Sequence, residues 1–243
     1  MIRSGLIWLL FAGTAWAQEQ PRDLRGIWQA TGTAYQNLEG TPAQRGQPAA
    51  KSIVVDPTNG RIPYRADARK LADRNSKERE TSDPLLSCFQ PGIPRAVLLP
   101  EPFQIFQNPD RVVIVYQHVH AYRVIFTDGR SHYNEGIEFY MGDSRGRWEG
   151  NTLVVDVTNF KPETWLDNAG NFHGELHVIE RYTRTGADTL RYEATIEDPG
   201  VFEHAWTIRV DLARHTEPNF QLLEHECERD AQGVYRHPSQ FLK

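Results

Sequence analysis

Residues 173–181, HGELHVIER, place two histidines, two glutamates and an arginine in nine positions at the head of a β-rich stretch. Side chains on an extended strand alternate between faces. Leu176, Val178, Glu180 and Tyr182 therefore share one face, and His177, Ile179, Arg181 and Thr183 the other. The first set is the more apolar and is expected to face inward, carrying Glu180 with it. A carboxylate on such a face is destabilising unless a cation pairs with it or water reaches it. Arg123 is the expected partner, because its strand turns Val119, Ala121, Arg123 and Ile125 to one face. Such a pair either fixes strand register or holds a polar group of a ligand, and the sequence leaves both open.

Other residues could carry acid–base chemistry. His118 and His120 fall on one face of the HVH stretch, beside Tyr122, and an imidazole titrates near neutral pH. The arrangement to expect is His120 with His177 or His173, an acidic partner in Asp167 or Glu180, and Arg123 holding negative charge. The bland readings are ordinary hydrogen bonds for the histidines and a turn for Asp167 in LDNAG. His173, Glu175 and His177, spaced i, i+2, i+4, offer a minor option for zinc or iron, although Gly174 weakens a regular strand there; the expectation is no cofactor. Gly142, Gly146 and Gly150 do not make a phosphate loop, since no Gly-Lys-Ser/Thr follows them. There is no GxSxG elbow for a serine nucleophile.

The elements that must position these residues are mostly strands. DLRGIWQATGT and SIVVDP read as strands, residues 34–50 as a loop, and 65–80 as a surface helix, polar on most sides. Pro84, Pro91, Pro94, Pro100 and Pro102 exclude regular helix and central strand from 84–102 and suggest an extended, clamped segment. From residue 103, PFQIFQ, RVVIVYQ, HAYRVIFT, NTLVVDVT, LHVIERYTR, TLRYEATIED, AWTIRVDLAR and FQLLEHECE are short and rich in Val, Ile, Thr and aromatics. Turn residues separate many of them. SRGRWEGNTLVVDV reads as a hairpin whose Trp148 plugs one end of a barrel, with Asp156 making a buried polar contact. The fold class is all-β, an antiparallel barrel or a sandwich.

Composition narrows the function classes. The 243 residues carry 32 acidic and 27 basic side chains, with no basic stripe for nucleic acid. Arg3, the apolar LIWLLFAG and Ala15-Trp16-Ala17 form a secretory signal peptide over residues 1–17, cleaved after Ala17, and no later run is long enough to span a membrane. Residues 18–243 then form one β domain, periplasmic or secreted. Cys88 and Cys227 are expected to pair in that oxidising compartment, closing a loop of about 140 residues worth on the order of 5 kcal/mol.

The motifs DPLLSCFQPGIPR, PFQIFQNPDRVVIVYQHVHAYRVIFTDGR, MGDSRGRWEGNTLVVDVTNF and TWLDNAGNFHGELHVIERYTR, in this order, resemble a family of exported proteins common in soil and marine bacteria. The resemblance covers about residues 60–230. It implies a lipocalin-like β-barrel and no particular reaction. Members often carry His-x-His after the WLD-x-AG segment. This chain has Asn171 and His173 there, which argues against a metal held by both histidines.

The leading expectation is an exported barrel that binds a small, partly apolar molecule. Its apolar walls would come from Tyr122, Trp148, Trp165 and Tyr182, and its orientation from the His/Glu/Arg cluster. Two alternatives stand beside it: a cofactor-free isomerase, lyase or hydrolase using the same pocket, and an envelope scaffold presenting an apolar patch.

Overall fold

The computed structural model describes residues 22–43, 49–134 and 136–227; the expected signal peptide lies outside the described residues. Along the chain come β1 (Gly26–Ala30), β2 (Val54–Asp56), α1 (Ala66–Ser82), α2 (Arg95–Leu98), β3 (Phe103–Asn108), β4 (Arg111–Tyr116) and β5 (Tyr122–Phe126). They are followed by β6 (Asp143–Glu149), β7 (Thr152–Thr158), β8 (His177–Arg184), β9 (Thr189–Glu197) and β10 (Trp206–Arg214). All strands except β2 close into one barrel, in the order β1-β3-β4-β5-β6-β7-β8-β9-β10 and back to β1. Strand β1 makes the closure: Trp28 lies opposite Phe103 of β3 on one side and Arg214 of β10 on the other. The short β2 lies against β10 further along the same edge, with Val54 opposite Ile208.

The ring has nine strands, and that number has a consequence. Antiparallel neighbours reverse direction at every step, so an odd ring cannot be antiparallel throughout. The odd contact is β5–β6, which is parallel and short: Ile125 lies opposite Ser144 and Phe126 opposite Arg145. A parallel neighbour needs a long return path, which here is the segment 127–142. Gly146 lets the two strands approach, since a Cβ there would stand 2.7 Å from Ile125 Cγ2.

Alternation fills the barrel. Val112, Ile114 and Tyr116 of β4, Val178, Glu180 and Tyr182 of β8, and Leu190, Tyr192, Ala194 and Ile196 of β9 are all buried. Trp28, Phe103, Tyr116, Tyr182 and Tyr192 rank among the largest fully buried side chains, so the interior is packed with rings. Outward positions on β8–β10 carry Arg181, Arg191, Glu193, Arg209 and Asp211, unlike the apolar band of a membrane barrel. No helix among the described residues is long and apolar enough to cross a membrane.

Helix α1 is polar, as its sequence requires, and buries only Ala72. The proline-rich segment is less extended than expected. Residues 84–87 form a 3-10 turn with Pro84 at its start, and α2 follows Pro94; both prolines sit where a helix has no use for their missing N–H. Residues 91–99 are buried, and Arg95 of α2 pairs with Asp83 at 2.5 Å and with Asn168 at 2.7 Å.

Three further expectations change. His118–His120 is a 3-10 turn between β4 and β5 and not part of a strand, with positive φ at Val119 (46°) and His120 (48°). That turn contains no Gly, Pro, Asn or Asp, so the β-rich pattern ran through it unmarked. Residues 220–227 of FQLLEHECE form no strand; β1 and β2 already occupy the free edge of β10. The β6–β7 hairpin is present, but Trp148 is half-buried against the core from within β6.

The irregular tail is fastened by Cys88–Cys227, whose Cα atoms stand 5.6 Å apart across 139 positions of sequence. In the chain-entropy model such a loop is stabilised by ~5 kcal/mol. Protein made in an oxidising compartment and denatured without reductant is therefore expected to leave no thiol for maleimide. Reductant should lower its urea midpoint. Two reactive thiols in the oxidised preparation would contradict the pairing.

Candidate ligand site at the barrel seam

Glu180 of β8 and Arg123 of β5 belong to strands separated by β6 and β7, so their contact crosses the barrel interior. Arg123 Nη2 donates to Glu180 Oε2 at 2.5 Å, and Glu180 Oε1 accepts from the hydroxyls of Tyr182 and Tyr192 at 2.9 Å each. Ala194, opposite Glu180 in the ladder, is small enough to leave room for this group. Burial opposes the charge of Arg123. The Glu180 carboxylate more than offsets that, with help from the neighbouring Tyr116 and Tyr182, and keeps the guanidinium charged. Burial and then the Glu180 charge push the Tyr182 and Tyr192 hydroxyls well above their ordinary range. Removing either ionic partner alone would strand a buried charge, at a cost of ~3–5 kcal/mol.

Glu180 is satisfied, whereas Arg123 is not. Among the described residues its Nε and Nη1 have no hydrogen-bond partner, and neither do Tyr116 Oη and Ser144 Oγ, all four atoms being buried. Buried orphan donors are uncommon, and each is destabilising by ~1–3 kcal/mol until a water or ligand meets it. Arg123 and Ser144 flank the short parallel contact.

Over that contact lies a cavity of about 670 Å³. Tyr122, Phe126, Tyr133, Phe139 and Tyr140 give it aromatic walls, and Arg123, Ser144 and Lys161 also border it. Tyr122, Tyr133 and Phe139 are among the few large apolar side chains left exposed. Asp143 moors the segment that carries the aromatics: its carboxylate accepts from the Tyr133 N–H at 2.9 Å and Arg145 Nη1 at 2.6 Å, and lies 3.0 Å from His132 Nδ1. Farther along, the Phe139 N–H donates to Asn159 O, and the Lys161 N–H to Phe139 O.

The remaining sequence candidates lie in separate surroundings. His173 is buried with Nε2 2.7 Å from Thr164 Oγ1, and burial pulls its pKa down to about 4. Glu175 is exposed, and β8 begins only at His177, so His173, Glu175 and His177 do not share one strand face. His177 lies on the outer wall, its Nε2 2.9 Å from Asp156 Oδ1; that hydrogen bond raises the histidine and lowers the aspartate. Asp156 is thus half-exposed, not buried. Asp167 is buried and accepts N–H groups of Leu38, Ala169 and Asn171 together with the Asn171 side-chain amide. Burial raises its pKa to about 6 against the pull of those donors. It ties two loops together. His120 is exposed and pairs with Glu226. Of the aromatics expected to line the pocket, Tyr122 does so, while Tyr182 serves the interior network and Trp148 and Trp165 pack elsewhere.

Sequence spacing gave no sign of one group. Glu101, His118 and His225 are all buried and offer ligand atoms within 4.8 Å of one another. They come from three distant segments, so only the closed fold brings them together.

Compared with known proteins, the chain matches no protein-family model and no curated protein.

The two histidines of the opening motif should respond oppositely to acid. His173 is neutral in the fold, whereas the unfolded chain takes up its proton near 6.5. Stability from His173 is therefore lost as pH falls from 6.5 through 4. His177, with a raised pKa, contributes stability that is present below 6.5 and lost as pH rises through its folded value. A histidine NMR titration is expected to show His173 unprotonated down to about pH 4. His177 should titrate above 6.5 and drop back toward it in D156N. Ordinary titration of His173 near 6.5 would contradict its buried placement.

Proposed function

We propose that this protein is an exported binding barrel that takes a small, partly apolar molecule into the seam cavity. The carrying observation is the combination found there: an aromatic-walled hollow of about 670 Å³ bordered by Arg123 and Ser144, both with buried polar atoms that lack partners among the described residues. The volume lies in the range of small-molecule sites, which pair apolar walls with a few polar groups. The disulfide is consistent with an oxidising location, and the resemblance to an exported bacterial family supports the same compartment.

The chemistry of the floor indicates the kind of ligand. The charge of Arg123 is already balanced by Glu180. A second carboxylate on Arg123 would leave the buried Arg123–Glu180 group with net negative charge. A neutral acceptor, such as a ketone or amide carbonyl, meets the unused N–H groups without that penalty. The acid–base enzyme reading loses its main support, because His120, Asp167, His173 and His177 are each engaged in separate places. A scaffold would use an apolar surface but has no need of orphaned donors beneath it.

Calorimetric titration with 2-acetylnaphthalene, 2-ethylnaphthalene and naphthalene-2-carboxylate tests this. The ketone is expected to bind about tenfold or more tighter than the hydrocarbon, the worth of one hydrogen bond from a charged donor, and the carboxylate weakest. F139A should weaken ketone and hydrocarbon alike, and S144A should narrow the gap between them. Absence of saturable binding by all three, or tightest binding by the carboxylate, would contradict the reading.

A further inference from the structure

We propose that Glu101, His118 and His225 form a binding site for a divalent transition-metal ion of the zinc class, separate from the seam cavity. Two imidazoles and one carboxylate are a donor set suited to such ions, and three protein ligands leave a position open. All three side chains are buried, with ligand atoms mutually within 4.8 Å. His118 Nδ1 stands 3.8 Å from Glu101 Oε1 and makes no hydrogen bond among the described residues. The His118 and His225 rings meet edge to face with centroids 4.9 Å apart. Ligands held at about 2.0–2.2 Å around a tetrahedral ion stand about 3.3 Å from one another. Small side-chain rotations therefore complete the shell.

The backbone holding these residues is fixed without any metal. Glu101 precedes β3, His118 opens the turn between β4 and β5, and His225 lies two residues before Cys227. The Gln117 N–H donates to Pro102 O at 3.0 Å, which ties the first segment to the second. Gln117 Oε1 accepts the Leu223 N–H at 2.8 Å, and His120 Nδ1 lies 2.9 Å from Glu226 Oε1, which ties the second to the third. The disulfide then anchors the third. A turn held with Val119 and His120 at positive φ is strained for these residue types, and it is the turn that presents His118. Glu101 and His118 also border a cavity of about 270 Å³ shared with Tyr35, Arg95 and Asn168. The open coordination position therefore has room for water or a small donor ligand.

The test uses oxidised full-length protein treated with chelator, then titrated with Zn²⁺ by calorimetry and with Co²⁺ by visible absorption. One equivalent of Zn²⁺ is expected, with intense Co²⁺ bands of a four-coordinate site. H118Q and H225Q should each weaken Zn²⁺ by more than about a hundredfold, beyond what loss of an outer-shell partner does. H132A/H177A removes the two histidines beside Asp156 and should leave binding unchanged. The proposal is overturned if wild-type protein binds no Zn²⁺, if H118Q binds like wild type, or if H132A/H177A abolishes binding. Weak octahedral Co²⁺ bands in the wild-type protein would also overturn it, independently of how any variant folds.

Discussion

The odd number of strands in the ring is the constraint from which the site follows. Eight antiparallel contacts use up the alternation, and the ninth, β5–β6, has to be parallel. A parallel contact cannot be joined by a tight hairpin, so the chain makes a long return before β6. It pairs over only two positions there, against eight for β8–β9. The weakest ladder of the barrel and its longest connection between strands β3 to β7 thus fall at one place. The connection brings Tyr133, Phe139 and Tyr140 to the weak ladder, and these become walls of the seam cavity.

The interior is no calyx. Glu180, satisfied by Arg123, Tyr182 and Tyr192, occupies it together with Trp28, Phe103 and Tyr116. A buried pair of this kind is weak as a source of stability but strict about geometry, since neither charge tolerates the loss of the other. Here it holds Arg123 from across the barrel, through β8, at the strand that borders the opening. What the pair leaves over is the Nε–H and both Nη1–H groups of the guanidinium, which have no partner among the described residues.

Much of this was legible from residue patterns, for definite reasons. Alternation in LHVIERYT placed Glu180 inward and named Arg123 as its partner, because an apolar strand face with one carboxylate demands a cation. Two cysteines had one pairing available. The parallel contact was not legible: it depends on the count of strands in the closed ring, and no local pattern encodes that count. The turn at 118–120 lacks the residues that usually mark a reversal, so His118 and His120 were read onto one strand face when they serve different partners. FQLLEHECE has the composition of a strand but no edge to join. Glu101 and His225 carried no signal, since their proximity to His118 arises only after the tail is fastened. The histidines of HGELHVIER separate because the strand starts at His177, leaving His173 in a buried loop.

The most direct test of the account is amide hydrogen exchange resolved along the chain. Strands β7, β8 and β9 have full partners on both sides, whereas β5 and the start of β6 share a two-position ladder. Sparse pairing opens at lower free energy. Peptides covering 122–126 and 143–146 are therefore predicted to exchange well before those covering 153–157, 178–183 and 190–196. Equal protection around the whole ring would contradict the claim that the barrel has a seam.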